Sequence, residues 1–160
     1  MTEEEKAIDN LSLAVEKLKQ IGIINSNAFT SEIGVFYAKK YLKEQEGKNL
    51  NNKNYTNKNY DAEDESGTKY EIKTRATFDE TTMRKKISGV KNKECNFFIF
   101  VILNFNFQPL LINKIQRDYV MNKTKLNKAN DFYQTEEMLN DKEIKILFKG
   151  DLSNRSWKAQ

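Results

Sequence analysis

The sequence predicts an α/β fold, and three observations carry that reading. Two stretches with the three- and four-residue apolar spacing of helices come first, a charged hairpin follows at residues 60–75, and a continuous apolar strand lies at residues 95–103. At 160 residues the chain is expected to form one domain, 1–160, with an N-terminal helix at 3–21, a motif-bearing core at 31–119 and a C-terminal extension at 120–160.

The first helix reads from Ile8, Leu11, Val15 and Leu18, with Glu3, Glu4 and Glu5 in the first turn, where the helix dipole favours acids. Gly22 is placed to end it. A second helix opens near Thr30 or Ser31 and carries Ile33, Phe36, Tyr37, Tyr41 and Leu42. Residues 46–59, dominated by Asn and Lys, lose all periodicity and read as an exposed, mobile loop. Beyond the hairpin the order is a long loop or helix, the strand at 95–103, a turn at 104–107 and a strand at 109–115. Residues 116–121 and 131–139 are expected to begin helices, and EIKILFKGDL at 143–152 is expected to be a strand. Trp157 is placed either to fold back onto the domain or to mediate self-association.

Composition excludes several chemistries. With no histidine, the chain has no Ser-His or Cys-His nucleophile pair, no His general base and no zinc site with histidine ligands. Its single cysteine, Cys95, excludes an intramolecular disulfide framework and a multi-cysteine zinc site, and reads as a packing residue. Catalysis must then rest on carboxylates, lysine, tyrosine or a hard metal ion. The longest apolar run, at 95–105, falls well short of the roughly 20 residues that cross a bilayer. The acidic start MTEEEKAIDN is unlike a secretory signal, so a cytoplasmic protein with no membrane partner is expected. A net charge of +4 is modest support for a polyanionic partner.

The segment YDAEDESGTKYEIKTR at 60–75 holds the candidate chemistry. The residues Glu65, Ser66 and Gly67 suit a three-residue hairpin loop, with Gly67 in the left-handed position. Pairing Asp64 with Thr68 sets Asp61 across from Glu71 and puts Asp61, Glu63, Lys69, Glu71 and Lys73 on one face, with Tyr60, Ala62, Tyr70 and Ile72 on the other. Carboxylates placed opposite each other repel and call for a cation. Mg²⁺ suits them, because it takes one or two carboxylates together with waters and phosphate oxygens. Lys73, on the same face, is then placed to orient or deprotonate an attacking water and to stabilise charge on a phosphate. The same residues also suit a solvated hairpin face with weak cross-strand ion pairs.

An acid, a turn and then acid-x-Lys on the next strand, here Asp61 followed by Glu71-Ile72-Lys73, resembles the PD-(D/E)XK nuclease superfamily, and the order of elements over 31–119 is similar too. Tyr60 stands where the family name has proline. The resemblance implies a restriction endonuclease-like α/β/α sandwich around a central mixed β-sheet. It implies Mg²⁺, replaceable by Mn²⁺, bound by Asp61, Glu71 and the Ile72 backbone carbonyl, with Asp61, Glu71 and Lys73 as the catalytic residues. Some members carry a further helix glutamate. Glu32 is the candidate here for metal binding or for helix capping, and Val35 occupies the place after Gly34 where such an acid often sits.

The expected activity is Mg²⁺-dependent DNA endonuclease cleavage, in a restriction or mobile-element defence role. A non-catalytic nucleic-acid or protein-binding module on the same fold is the alternative, and RNA is the less favoured substrate. Arg75, on the Lys73 face, is the leading phosphate contact. Arg84, Lys85 and Lys86, with Lys91 and Lys93 behind the site, either contact the DNA backbone or are solvated. Phe105 and Phe107 read as core or turn residues ahead of base-stacking ones. Cutting both strands of a duplex requires two sites acting together, so a homodimer is expected.

Overall fold

Helix α1 (Glu3–Gln20) starts at a capping box in which Thr2 Oγ1 accepts the Glu5 N–H at 3.3 Å and the Glu5 carboxylate accepts the Thr2 N–H at 2.8 Å. The same carboxylate pairs with Lys40 of helix α2 (Thr30–Glu46), fastening the two helices together. A computed structural model describes residues 1–21, 30–52, 59–77, 81–84, 86–124 and 131–158. Gly22, the expected helix stop, lies outside the described residues. In α1 Ile8 and Val15 are buried where the apolar spacing puts them, whereas Leu11 is exposed and its neighbour Ser12 is buried instead, donating to Asn106 Oδ1 at 3.3 Å.

Strands β1 (Asn51–Asn52), β2 (Ala62–Glu63), β3 (Lys69–Ala76), β4 (Thr82–Arg84), β5 (Lys86–Ile87), β6 (Phe97–Leu103) and β7 (Pro109–Gln116) follow. Helix α3 (Arg117–Thr124), strand β8 (Phe132–Tyr133), a 3-10 turn (Glu137–Asn140), β9 (Ile144–Lys149) and β10 (Ser156–Lys158) complete the described elements. The result is a mixed α/β structure with three α-helices among the described residues. Its central sheet runs β1-β2-β3-β6-β7-β9, with β3 and β6 parallel and the other neighbours antiparallel. No helix among the described residues is long and apolar enough to cross a membrane.

The two faces of the sheet are both covered, and strand alternation sorts the side chains between them. On one face Tyr70, Ile72, Ile99, Val101 and Leu147 bury against Ile33, Tyr37, Ala38 and Leu42 of α2. On the other, Phe98, Phe100 and Ile115 meet Val120 of α3, Phe132 of β8, Ile87 and Cys95. Burial pushes the Cys95 thiol up to about 11, so it stays protonated and unreactive in the packing role expected of it. Trp157 does fold back: β10 pairs with β4, Trp157 opposite Met83, and covers Ile102 and Leu111. Phe107 is buried, and Phe105 is 37% exposed at the β6–β7 turn.

Two expectations are corrected. Residues 131–139 begin no α-helix but a strand followed by the 3-10 turn at Glu137–Asn140, since Phe132 and Tyr133 pair with β5 and the Phe132 ring lies 5.2 Å from that of Phe100. Burying that aromatic ring outweighs local helix preference. The 46–59 stretch is not loop throughout, because Asn51 and Asn52 pair with Glu63 and Ala62; residues 53–58 lie outside the described residues.

Helix α2 is held to the sheet at both ends. At its C-terminus the half-buried Glu46 pairs with Lys114 of β7 and, at 3.0 Å, with Lys145 of β9. Near its N-terminus Gly34 lies so close to β3 that a Cβ there would stand 1.8 Å from Thr74 Oγ1. This bare spot sets the distance between α2 and the edge of β3.

The hairpin forms as its sequence dictates. Asp64 N–H donates to Thr68 O at 3.0 Å, Gly67 has φ +81°, and Ala62 pairs with Tyr70 and Glu63 with Lys69. The buried Asp64 carboxylate ties the turn by accepting from the Ser66 N–H and hydroxyl, the Thr68 N–H and the Tyr70 hydroxyl. Burial raises the pKa of this carboxyl, but these bonds outweigh it and hold the group well below its ordinary 3.8. Because the folded value is the lower one, the stabilisation is complete above pH 3.8 and drains away as pH falls below it. Urea titrations from pH 6 down to pH 3 are therefore expected to lose stability less steeply for Asp64→Asn than for the wild type; equal slopes would refute this role.

Candidate active site

A cavity of about 650 Å³ opens where β2 stops and β3 continues. Asp61, Glu71, Lys73 and Arg75 line it, with Ser31 and Glu32 from the first turn of α2 and Lys93 from the loop before β6. The reason is geometric: β2 is only two residues long, so on that side no strand among the described residues lies beside β3 from Ile72 onward.

Asp61 reaches that edge by a local irregularity. Its N–H donates to Tyr70 O at 2.9 Å although Ala62 is already opposite Tyr70, so the chain leaves the ladder as at a β-bulge. This corrects the direct Asp61–Glu71 pairing expected from the hairpin: Asp61 Oδ2 instead accepts the Ile72 N–H at 2.8 Å. The bulge also moves Tyr60. Its hydroxyl donates to Glu63 at 2.9 Å and Lys69 Nζ lies 5.0 Å from its ring centre, so Tyr60 shares the Glu63 and Lys69 face and not that of Tyr70 and Ile72. Since N–H and C=O of one strand residue point the same way, the Ile72 carbonyl faces the open edge beside Asp61.

Glu71 is 1% exposed and sits opposite Phe98, at the inner end of the cavity. Its Oε1 lies 2.8 Å from both Lys73 Nζ and Lys93 Nζ, while its buried Oε2 has no hydrogen-bond partner. A buried charge is retained only when paired, and here two ammonium groups share one oxygen. Arg75 follows Lys73 on the same face, Nη1 donating to Thr74 O at 3.2 Å.

Of the basic residues expected on DNA, Arg75 lines the cavity, whereas Lys86 pairs with Asp131 at 3.0 Å outside it. Lys85 and the Arg84 side chain lie outside the described residues. Glu32 is exposed at the rim, beside Val35. Lys93 is the residue whose place in the site the sequence did not disclose. It arrives through a turn at Lys91 and Asn92, with Asn92 at φ +62°, and the Arg117 side chain anchors its carbonyl at 2.7 Å. Only the basic run containing it hinted at phosphate chemistry.

Two carboxylates and a backbone carbonyl meet the oxygen-donor needs of Mg²⁺, and the bare Glu71 Oε2 leaves a donor atom available. Among the described residues no three Asp, Glu or Cys side chains gather as a metal-binding group. No family model matches the chain, and no curated protein matches it.

Proposed function

We propose that the protein is a Mg²⁺-dependent DNA endonuclease of the restriction endonuclease-like α/β/α class, acting in the cytoplasm in restriction or mobile-element defence. The observation that supports this most is the cavity at the free edge of β3, where Asp61, Glu71 and Lys73 meet with Arg75 beside them. Asp61, Glu71 and the Ile72 carbonyl would hold the cation, and Glu32, which lines the same cavity, is the further acid that would contribute through water. Bound there, Mg²⁺ or Mn²⁺ would supply charge stabilisation and an acidified water.

The chain's own residues do the rest. Lys73, two residues beyond Glu71 on the same face, orients the attacking water and offsets charge growing on the phosphate. Arg75 presents its guanidinium fork to the phosphate oxygens. Buried Glu71 keeps both lysines at the inner end of the cavity. A homodimer would bring two such sites to the two strands of a duplex.

The shared ion pairing of Glu71 favours one other reading, a binding module in which Lys73, Glu71 and Lys93 form a purely structural triad. Incubating supercoiled plasmid and unmodified phage DNA with the protein in Mg²⁺, Mn²⁺ or EDTA separates them. The nuclease reading expects metal-dependent cutting that falls by about 100-fold or more in Asp61→Ala and Lys73→Ala. Cutting unchanged in both variants, or no cutting together with no Mn²⁺ binding, would leave the binding module. Preferential cutting of RNA in competition would correct the substrate, and sedimentation of monomer alone with DNA would remove the dimer.

A further inference from the structure

Among the described residues, three acids and three bases line the cavity: Glu32, Asp61 and Glu71 against Lys73, Arg75 and Lys93. These six side chains balance one another's charge before any ligand arrives. Both Lys73 and Lys93 crowd Oε1 of one carboxylate at 2.8 Å, so two like charges face each other across a single oxygen while the second oxygen is bare. Adding a divalent cation to Glu71 would put a double positive charge beside two ammonium groups at the buried end of the cavity, a repulsion that low local polarity magnifies. One lysine must then withdraw.

The two are held differently. Lys73 is fixed by β3, its backbone paired with Phe100 of β6 only two residues from Glu71. Lys93 reaches Glu71 from a loop. Its backbone is pinned by Arg117 at 2.7 Å and by the bond from Glu94 N–H to Asn59 O at 3.1 Å, but its four-carbon stem has open cavity beside Ser88 and Arg75 into which it can turn.

We infer that Lys93 is a reversible stand-in for the divalent cation, closing Glu71 when the metal is absent and turning to the substrate phosphate when the metal binds. This rests on the nuclease reading of the cavity. The ammonium keeps the buried Glu71 compensated in the empty site and makes metal entry and phosphate capture one exchange: what leaves the carboxylate becomes an anion-binding group. Lys93 is therefore a regulatory residue of the site, distinct from Lys73.

The test reads binding directly. Mn²⁺ is titrated calorimetrically into wild type, Lys93→Gln and Glu71→Gln, and lysine acetylation of wild type is followed by mass spectrometry with and without Mn²⁺. Lys93→Gln is expected to bind Mn²⁺ about tenfold more tightly than wild type, because the competitor is gone, and Glu71→Gln to lose binding. In the wild type, Mn²⁺ is expected to speed acetylation of Lys93 several-fold and leave exposed Lys91 unchanged. The acetylation arm decides the matter if Lys93→Gln fails to fold. Binding by wild type that is lost in Glu71→Gln, with neither tighter binding in Lys93→Gln nor unmasking of Lys93, would overturn this inference and leave the nuclease reading standing. No Mn²⁺ binding by any form would overturn both.

Discussion

Replacing Glu71 with glutamine is expected to abolish metal-dependent cleavage and also to lower the stability of the folded protein by about 3 kcal/mol. Both losses come from one carboxylate. Oε1 neutralises Lys73 and Lys93 at 2.8 Å each, in a position where Glu71 is 1% exposed, and an amide offers neither ammonium a counter-charge. Removing the acid leaves two cations facing each other beside Phe98 and Cys95. Plasmid cleavage measures the first effect and urea denaturation the second. Adding Lys93→Gln to Glu71→Gln is expected to return about half of the lost stability and none of the proposed activity, since one unpaired charge is gone but the carboxylate proposed to hold the metal is still missing. A Glu71→Gln protein as stable as wild type would show that the ion triad contributes nothing to the fold.

Gly34→Ala carries the largest purely steric penalty. A Cβ there would lie 1.8 Å from Thr74 Oγ1, 2.6 Å from its Cγ2 and 2.7 Å from its Cβ, so no side-chain rotation of Thr74 relieves the overlap. Helix α2 must lift from β3, at an expected cost of about 3 kcal/mol. The first turn of α2, with Ser31 and Glu32 at the cavity rim, moves with it, and on the proposed nuclease reading a shift of about 1 Å there is expected to lower turnover by about 100-fold. Thr74→Gly in the same chain removes the clashing atoms and is expected to restore much of the stability. A melting temperature for Gly34→Ala equal to that of wild type would contradict the close approach of helix and strand.

The hairpin register was legible in the sequence because it depends on local rules: a glycine at the left-handed position and a three-residue loop fix which residues pair. The strands at 97–103 and 109–116 were legible for a similar reason, as their apolar runs admit little but a buried sheet. Where pairing stops was not legible. Nothing about the residue types at Tyr60 and Asp61 announces that Asp61 bonds to Tyr70 O and then turns its carboxylate to Ile72 N–H. Strand alternation was therefore carried one residue too far, which misplaced Tyr60. The segment at 131–139 failed because its conformation is decided by Phe100, far away in the chain. Lys93 escaped for the same cause: its approach to Glu71 depends on a left-handed Asn92 and an anchor at Arg117, neither of which spacing reveals.

The early end of β2 has a consequence for how far this protein can be improved. Continuing that strand by a few residues would give Ile72 and Thr74 regular backbone partners and make a sturdier sheet, but the added strand would wall off the mouth of the cavity. Selection for heat resistance alone would favour that closure, and selection for access would oppose it. Variants evolved for thermostability in the laboratory should accordingly gather their changes around β6, β7 and β9 and leave the short second strand as it is.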